Sequence, residues 1–204
     1  MNGTAHAAIG SATGFIVANT FHTSPSTTIL FVGLGCVSGL IPDLDIDGKL
    51  RGKITLSHQV IRSVSQLIGL LMMIYSFYED NWLSMGIGFG LMILSSFLKQ
   101  KHMLIITGIA VITAGYFLQE IWLSLLGTYI IIASLVPHRS YTHSLLGVIF
   151  FGYISLELEN SLAINGVFYT CIAGYISHLI ADLKLLPVNK RGIKLFLPFS
   201  SKDI

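Results

Sequence analysis

Charge is scarce in this chain: of 204 residues only 11% are Asp, Glu, Lys or Arg, whereas 53% are hydrophobic, and the mean hydropathy is +0.75. A soluble domain must cover itself with water-facing side chains, so the shortage excludes that class and predicts a membrane protein. Cysteine is nearly absent. Cys36 and Cys171 fall inside apolar segments, where a thiol packs as a small hydrophobe, and without CxxC spacing they cannot build a thiolate metal site. The formal net charge of +2 is too small to argue for nucleic acid. Internal repeats, low-complexity runs and long linkers are missing, and the opening Met1 to His6 lacks the basic stretch of a cleaved signal peptide, so the first apolar segment is read as retained. The expectation is one membrane-embedded domain over 1–204, its residues 183–204 forming a basic tail.

The apolar segments lie near 5–21, 27–41, 63–78, 82–98, 103–117, 121–136, 144–157 and 162–181. Each is long enough for a helix, which predicts an all-α bundle of about eight spans, six at the fewest. Basic residues are absent from every second connection. All 12 Lys and Arg fall in 42–62, 99–102, 137–143 and the tail, whereas 22–26, 79–81, 118–120 and 158–161 have none. Basic residues near span ends stay in the cytoplasm, so both termini are expected inside a bacterial-type inner membrane. Gly10-x-x-x-Gly14 and Gly35-x-x-x-Gly39 predict a close hairpin of the first two spans. Trp82 and Trp122 read as interface anchors. The tail, mixing Lys184 to Lys202 with Leu185, Leu186, Ile193, Leu195 and Phe196, is expected along the inner leaflet.

What the chain does have is a set of His and Asp residues at the predicted cytoplasmic ends of four spans. His6 opens the first, Asp43 and Asp45 follow the second, His138 and His143 precede the seventh, and His178 and Asp182 close the eighth. His178 and Asp182 are four apart, share a helix face and could chelate one ion; the plainer reading is a hydrogen bond that staples helices. His138 and His143 are five apart and would diverge by roughly 140° on a continuous helix, so the motif needs a bend, to which Pro137, Ser140 and Thr142 are suited. Asp43-Leu44-Asp45-Ile46-Asp47-Gly48 starts like a calcium loop, but the twelfth position is Ile54 and the loop is basic, which excludes an EF-hand. Asp43 and Asp45 are favoured as ligands, with Asp47 supporting them or left to solvent. His22, His58 and His102 read as solvated surface residues, His58 being the leading exception.

The combination of His6, Pro42-Asp43-Leu44-Asp45, His138-Arg139-x-x-Thr142-His143-Ser144 and Gly174-Tyr175-x-x-His178-x-x-x-Asp182 resembles the YdjM-type family of membrane-bound, predicted metal-dependent hydrolases, from residue 4 to about 192. The His-Arg-x-x-Thr-His-Ser block is the most specific part. One departure is Ala5, where the pattern leads one to expect Thr, at the loss of a supporting hydroxyl but no ligand. The resemblance implies a helical membrane protein with a His/Asp metal centre and a distant similarity to zinc-dependent phospholipase C. Imidazole and carboxylate without thiolate suit Zn2+, with Mn2+ or Fe2+ as alternatives, and seven candidate ligands point to two or more ions. Metal-activated water attacking a phosphoester is the expected chemistry, with Arg139 clamping the phosphate and Asp45 taking the proton. A phospholipid or lipid-linked substrate could reach such a site by lateral diffusion. The competing classes are a metal transporter, disfavoured because the predicted span centres hold no ionisable pathway, and a non-catalytic membrane protein whose cluster ties helix ends together.

Overall fold

The computed structural model describes residues 3–44, 57–137, 139–184 and 192–204, and among them there are eight α-helices and no strand. They are α1 (Gly3–Thr20), α2 (Pro25–Ser38), α3 (His58–Tyr78), α4 (Trp82–Ser96), α5 (Gln100–Leu118), α6 (Ile121–Leu135), α7 (Leu145–Leu162) and α8 (Val167–Ala181). Two short 3-10 turns, Ile41–Leu44 and Tyr141–His143, sit between helices. The eight helices follow the eight predicted segments. Three of them, α3, α5 and α7, are long and apolar enough to cross a bilayer by themselves, and α2, α4, α6 and α8 are shorter apolar helices. Exposed Phe, Leu, Ile and Tyr side chains cover most of the outer surface, as expected where the solvent is hydrocarbon.

The boundaries differ most from expectation around α7–α8 and at the start of α3, each for a local reason. The eighth helix starts at Val167 rather than 162, and α7 runs on to Leu162. Glu159, read as a connection residue, lies in the last turn of α7 because its carboxylate accepts the backbone N–H groups of Gly166 and Phe168 at 3.1 and 2.8 Å, capping the start of α8. The third helix begins at His58, five residues early. His58 is half-buried rather than solvated: its backbone N–H donates to Gln100 Oε1 at 3.2 Å and its ring Nδ1 to the same oxygen at 2.9 Å. His102 also has a local partner, accepting the Lys99 N–H at 3.1 Å, whereas His22 is exposed as predicted.

The predicted hairpin is present and unusually close. At Gly10 and Gly14 an added Cβ would collide with the backbone of α2, and at Gly35 and Gly39 it would lie 3.0 Å from the Gly14 Cα and 2.8 Å from the His6 carbonyl oxygen. Helix α8 enters the same seam, its Gly174 facing the Gly35 carbonyl at 2.7 Å in Cβ terms. Small residues let backbones touch where lipid offers no hydrophobic drive toward association. Helices α1, α2 and α8 therefore form a three-helix core, with α7 packed on α8 and the α5–α6 hairpin reaching it through α7. Helices α3 and α4 pair chiefly with each other, crossing at Gly69 and Gly88.

The tail corrects an expectation. Ile193 is fully buried in the core cluster, and it exchanges backbone hydrogen bonds with Ile204 at 3.2 and 3.0 Å. The Leu195 carbonyl accepts the Leu145 N–H at 2.9 Å, satisfying one orphan donor at the start of α7. Ile193 and Leu195 thus fold onto the protein, whereas Phe196 and Phe199 point outward. Leu185 and Leu186 lie outside the described residues.

Candidate metal centre

Small-residue packing delivers the first two groups. His6 sits one turn before Gly10 on α1 and is buried, and α2 ends at Ser38 with Gly39 as its cap, after which the Ile41–Leu44 turn brings in Asp43. From the other side, the chain leaves α6 at Leu135, passes Arg139 in a left-handed conformation (φ 60°) and enters the Tyr141–His143 turn before α7. This is the bend that the five-residue His spacing requires. His178 in the last turn of α8 and Asp182 at its C-cap complete the set.

Asp43, His143, His178 and Asp182 each offer one donor atom, and these atoms all lie within 4.8 Å of one another. The two Nε2 atoms of His143 and His178 are 3.2 Å apart. From the Asp43 Oδ1 they lie at 3.8 and 3.7 Å, and from the Asp182 Oδ2 at 3.8 and 3.7 Å. Tetrahedral coordination with bonds of about 2.0–2.2 Å requires donor separations of roughly 3.3–3.6 Å, so these spacings fit one ion with small adjustment.

The His178 tautomer points the same way. His178 Nδ1 donates to the Gly39 carbonyl at 2.8 Å, and because a carbonyl only accepts, Nε2 is left as a bare lone pair turned toward two carboxylates. His143 Nδ1 lies 3.1 Å from Thr142 Oγ1, a hydroxyl that can either donate or accept. Lone pairs and anions converging in a buried place call for a cation. Burial would raise the Asp182 carboxyl, but the hydrogen bond from His6 and the neighbouring Arg139 guanidinium outweigh it and hold the group well below the usual carboxylate range. It is an anion at neutral pH.

Two predicted residues support this cluster from outside the four. His6 Nε2 lies 3.4 Å from Asp182 Oδ1, and its ring stacks on His178 with centroids 3.9 Å apart. Its Nδ1 is buried and without a hydrogen-bond partner among the described residues. Arg139 Nη2 lies 3.3 Å from Asp182 Oδ2, with 23% of its side chain exposed, more than any other group here. Asp45, Asp47 and His138 lie outside the described residues. The Gly39 carbonyl and the Tyr175 hydroxyl, which donates to the Thr142 carbonyl and lies 3.0 Å from the Tyr129 hydroxyl, escaped the sequence reading as site residues. Gly39 was visible only as a packing glycine; its link to His178 spans 139 positions, and no local pattern announces it.

An all-helical membrane protein with a buried His/Asp cluster at the shared ends of its core helices is the class that this fold and site define. The chain belongs to the YdjM inner membrane protein family, whose model matches residues 1–204. It is accordingly an inner membrane protein. No curated protein and no solved structure matches it.

Proposed function

We propose that this protein is a metal-dependent hydrolase that cleaves a phosphoester of a phospholipid or lipid-linked substrate at the inner leaflet. The observation that carries the reading is the convergence of two imidazole nitrogens and two carboxylates at tetrahedral spacing, with His178 held by the Gly39 carbonyl in the tautomer a ligand needs. Asp43, His143, His178 and Asp182 would hold the ion, and a donor set without thiolate suits Zn2+ ahead of Mn2+ or Fe2+. Asp45, His138 and the unpartnered Nδ1 of His6 are the further donors that a second ion would take. When bound, such an ion lowers the pKa of water and offsets charge building on ester oxygens.

The protein's own groups do the rest. His6 holds one oxygen of Asp182 so that the other faces the cluster. Arg139, partly exposed beside Asp182, offers planar N–H donors to a phosphate arriving from the headgroup region. Water adds to phosphorus, the P–O ester bond breaks, and the proton passes by way of Asp45 to the leaving oxygen. The basic residues of 42–62, 99–102 and 137–143 follow α2, α4 and α6 in the sequence, and α2 and α6 lead into the turns that carry Asp43 and His143, which supports a cytoplasmic site. Transport is disfavoured because, among the described residues, no Asp, Glu, His, Lys or Arg occupies the middle of any helix.

The test is elemental analysis of the purified protein together with assays on phospholipids and lipid phosphates. The parent should contain about one ion or more per chain and release product, and His143→Ala and Asp182→Ala should lose both. Stoichiometric metal without turnover of any phosphoester would refute the hydrolase reading in favour of a structural centre, and metal flux in proteoliposomes would do so in favour of transport.

A further inference from the structure

The hydrocarbon part of a lipid substrate also needs a place. Between α6, the Tyr141–His143 turn and α7 lies a groove of about 590 Å3, within the range of pockets that hold organic ligands. Its walls are apolar, among them Ala133 of α6 and Leu146 and Phe150 of α7. The outer rim faces the bilayer: Ile149 is 67% and Tyr153 51% exposed. The lining is almost wholly apolar, and the turn before α7 forms part of it. Thr142 lines the groove, and the Thr142 hydroxyl lies 3.1 Å from His143 Nδ1. Tyr129 lines it too, linked through Tyr175 to the Thr142 carbonyl. Gly147 packs closely beside them, since a Cβ there would meet the Tyr175 hydroxyl at 2.6 Å and the Thr142 carbonyl at 2.8 Å. The groove thus runs from lipid to the residue beside a cluster imidazole.

We propose that this groove seats one acyl chain of a membrane phospholipid, with the headgroup ester delivered to the His/Asp cluster; it rests on the hydrolase reading for the identity of that ester. The occupant follows from the opening. A molecule that enters sideways from the bilayer is a lipid, and one that also reaches Arg139 and the cluster carries a phosphate on its headgroup. Moving methylenes from lipid tails into an apolar groove gains little free energy, because the tails are as apolar as the walls. The groove therefore acts by orientation: it fixes where along the bilayer normal and at what angle the ester meets the cluster.

The experiment uses the full chain in nanodiscs of phosphatidylethanolamine and phosphatidylglycerol, with a phosphatidylglycerol that carries a photoreactive diazirine on one acyl chain. Crosslinks should concentrate on residues 132–153, and Leu146→Trp, which fills the groove from its half-exposed rim, should cut them at least about tenfold with metal content unchanged. In the same variant, hydrolysis of the long-chain phospholipid should fall by a similar factor, and that of a short-chain, water-soluble phosphoester should stay at the parent level. Crosslinks spread evenly over the lipid-facing residues of α3, α4 and α7, or insensitive to Leu146→Trp, mean annular lipid only and overturn the proposal. Groove-specific crosslinking without turnover of either substrate supports the chain site and defeats the hydrolase reading alone.

Discussion

Among the helix pairs that cross on facing glycines, α1–α2 and α3–α4 are put to different use. In the α1–α2 pair, Gly10, Gly14, Gly35 and Gly39 bring backbones together and, through α8, assemble the His/Asp cluster at one end. In the α3–α4 pair, Gly69 and Gly88 make a comparable crossing, but Gly69 and Ser76 are the sole buried residues among the 21 of α3. Helix α8, with 15 residues, buries eight, including Thr170, Tyr175 and His178. In lipid the apolar helix is the outer one, and the helix that carries polar groups is the one that other protein surrounds. By length and hydropathy α3 qualifies as a membrane span on its own, whereas α1, which carries His6 into the site, does not.

The comparison is most directly broken by adding a side chain at each crossing. Gly35→Val should lose about 3 kcal/mol or more, because the atoms in its way are Gly10 and Gly14 backbone that cannot turn aside. It should also lose the metal, since Gly39 and His6 move with the seam; folded yield and metal content in detergent check both. Gly88→Ala, facing the Gly69 carbonyl and the flexible Met72 and Met73, should cost roughly 1–3 kcal/mol and leave the metal in place. Equal metal loss in the two variants would end the distinction.

A smaller effect sharpens it within the core. Thr142→Val keeps the backbone carbonyl that Tyr175 uses but removes the hydroxyl beside His143 Nδ1, and metal affinity should fall about 10–100-fold by competition titration, with Thr142→Ser restoring it. Smallest of all, Leu71→Ala on the lipid face of α3 should change stability by less than about 0.5 kcal/mol and metal content not at all.

The fold was legible because its strongest signal, alternating apolar segments and basic connections, is local. The GxxxG pairs predicted the hairpin, and the His–Asp spacing of four put His178 and Asp182 on one face, where they stand. The His138 to His143 spacing announced a bend, and the Tyr141–His143 turn supplies it. Illegible were the features that rest on distant partners. Glu159 looked like a loop charge until the N–H groups of Gly166 and Phe168 reached it, and Ile193 looked like a leaflet anchor until the core accepted it. His58 required Gln100, 42 positions away. Composition marks a residue as polar or apolar, and only the topology says what it meets.

The position of the donors along the chain carries a last consequence. Asp43 and His143 are separated by roughly a hundred residues, the whole of α3 to α6, so an ion shared between them would close a long loop of chain as a crosslink does. Loop closure costs grow only slowly with length, whereas the freedom removed from the open chain is large. Chelation should therefore loosen more than the site, freeing the two halves of the polypeptide to drift apart in the bilayer, and protease cleavage in the connections flanking α1 and α8 would report it.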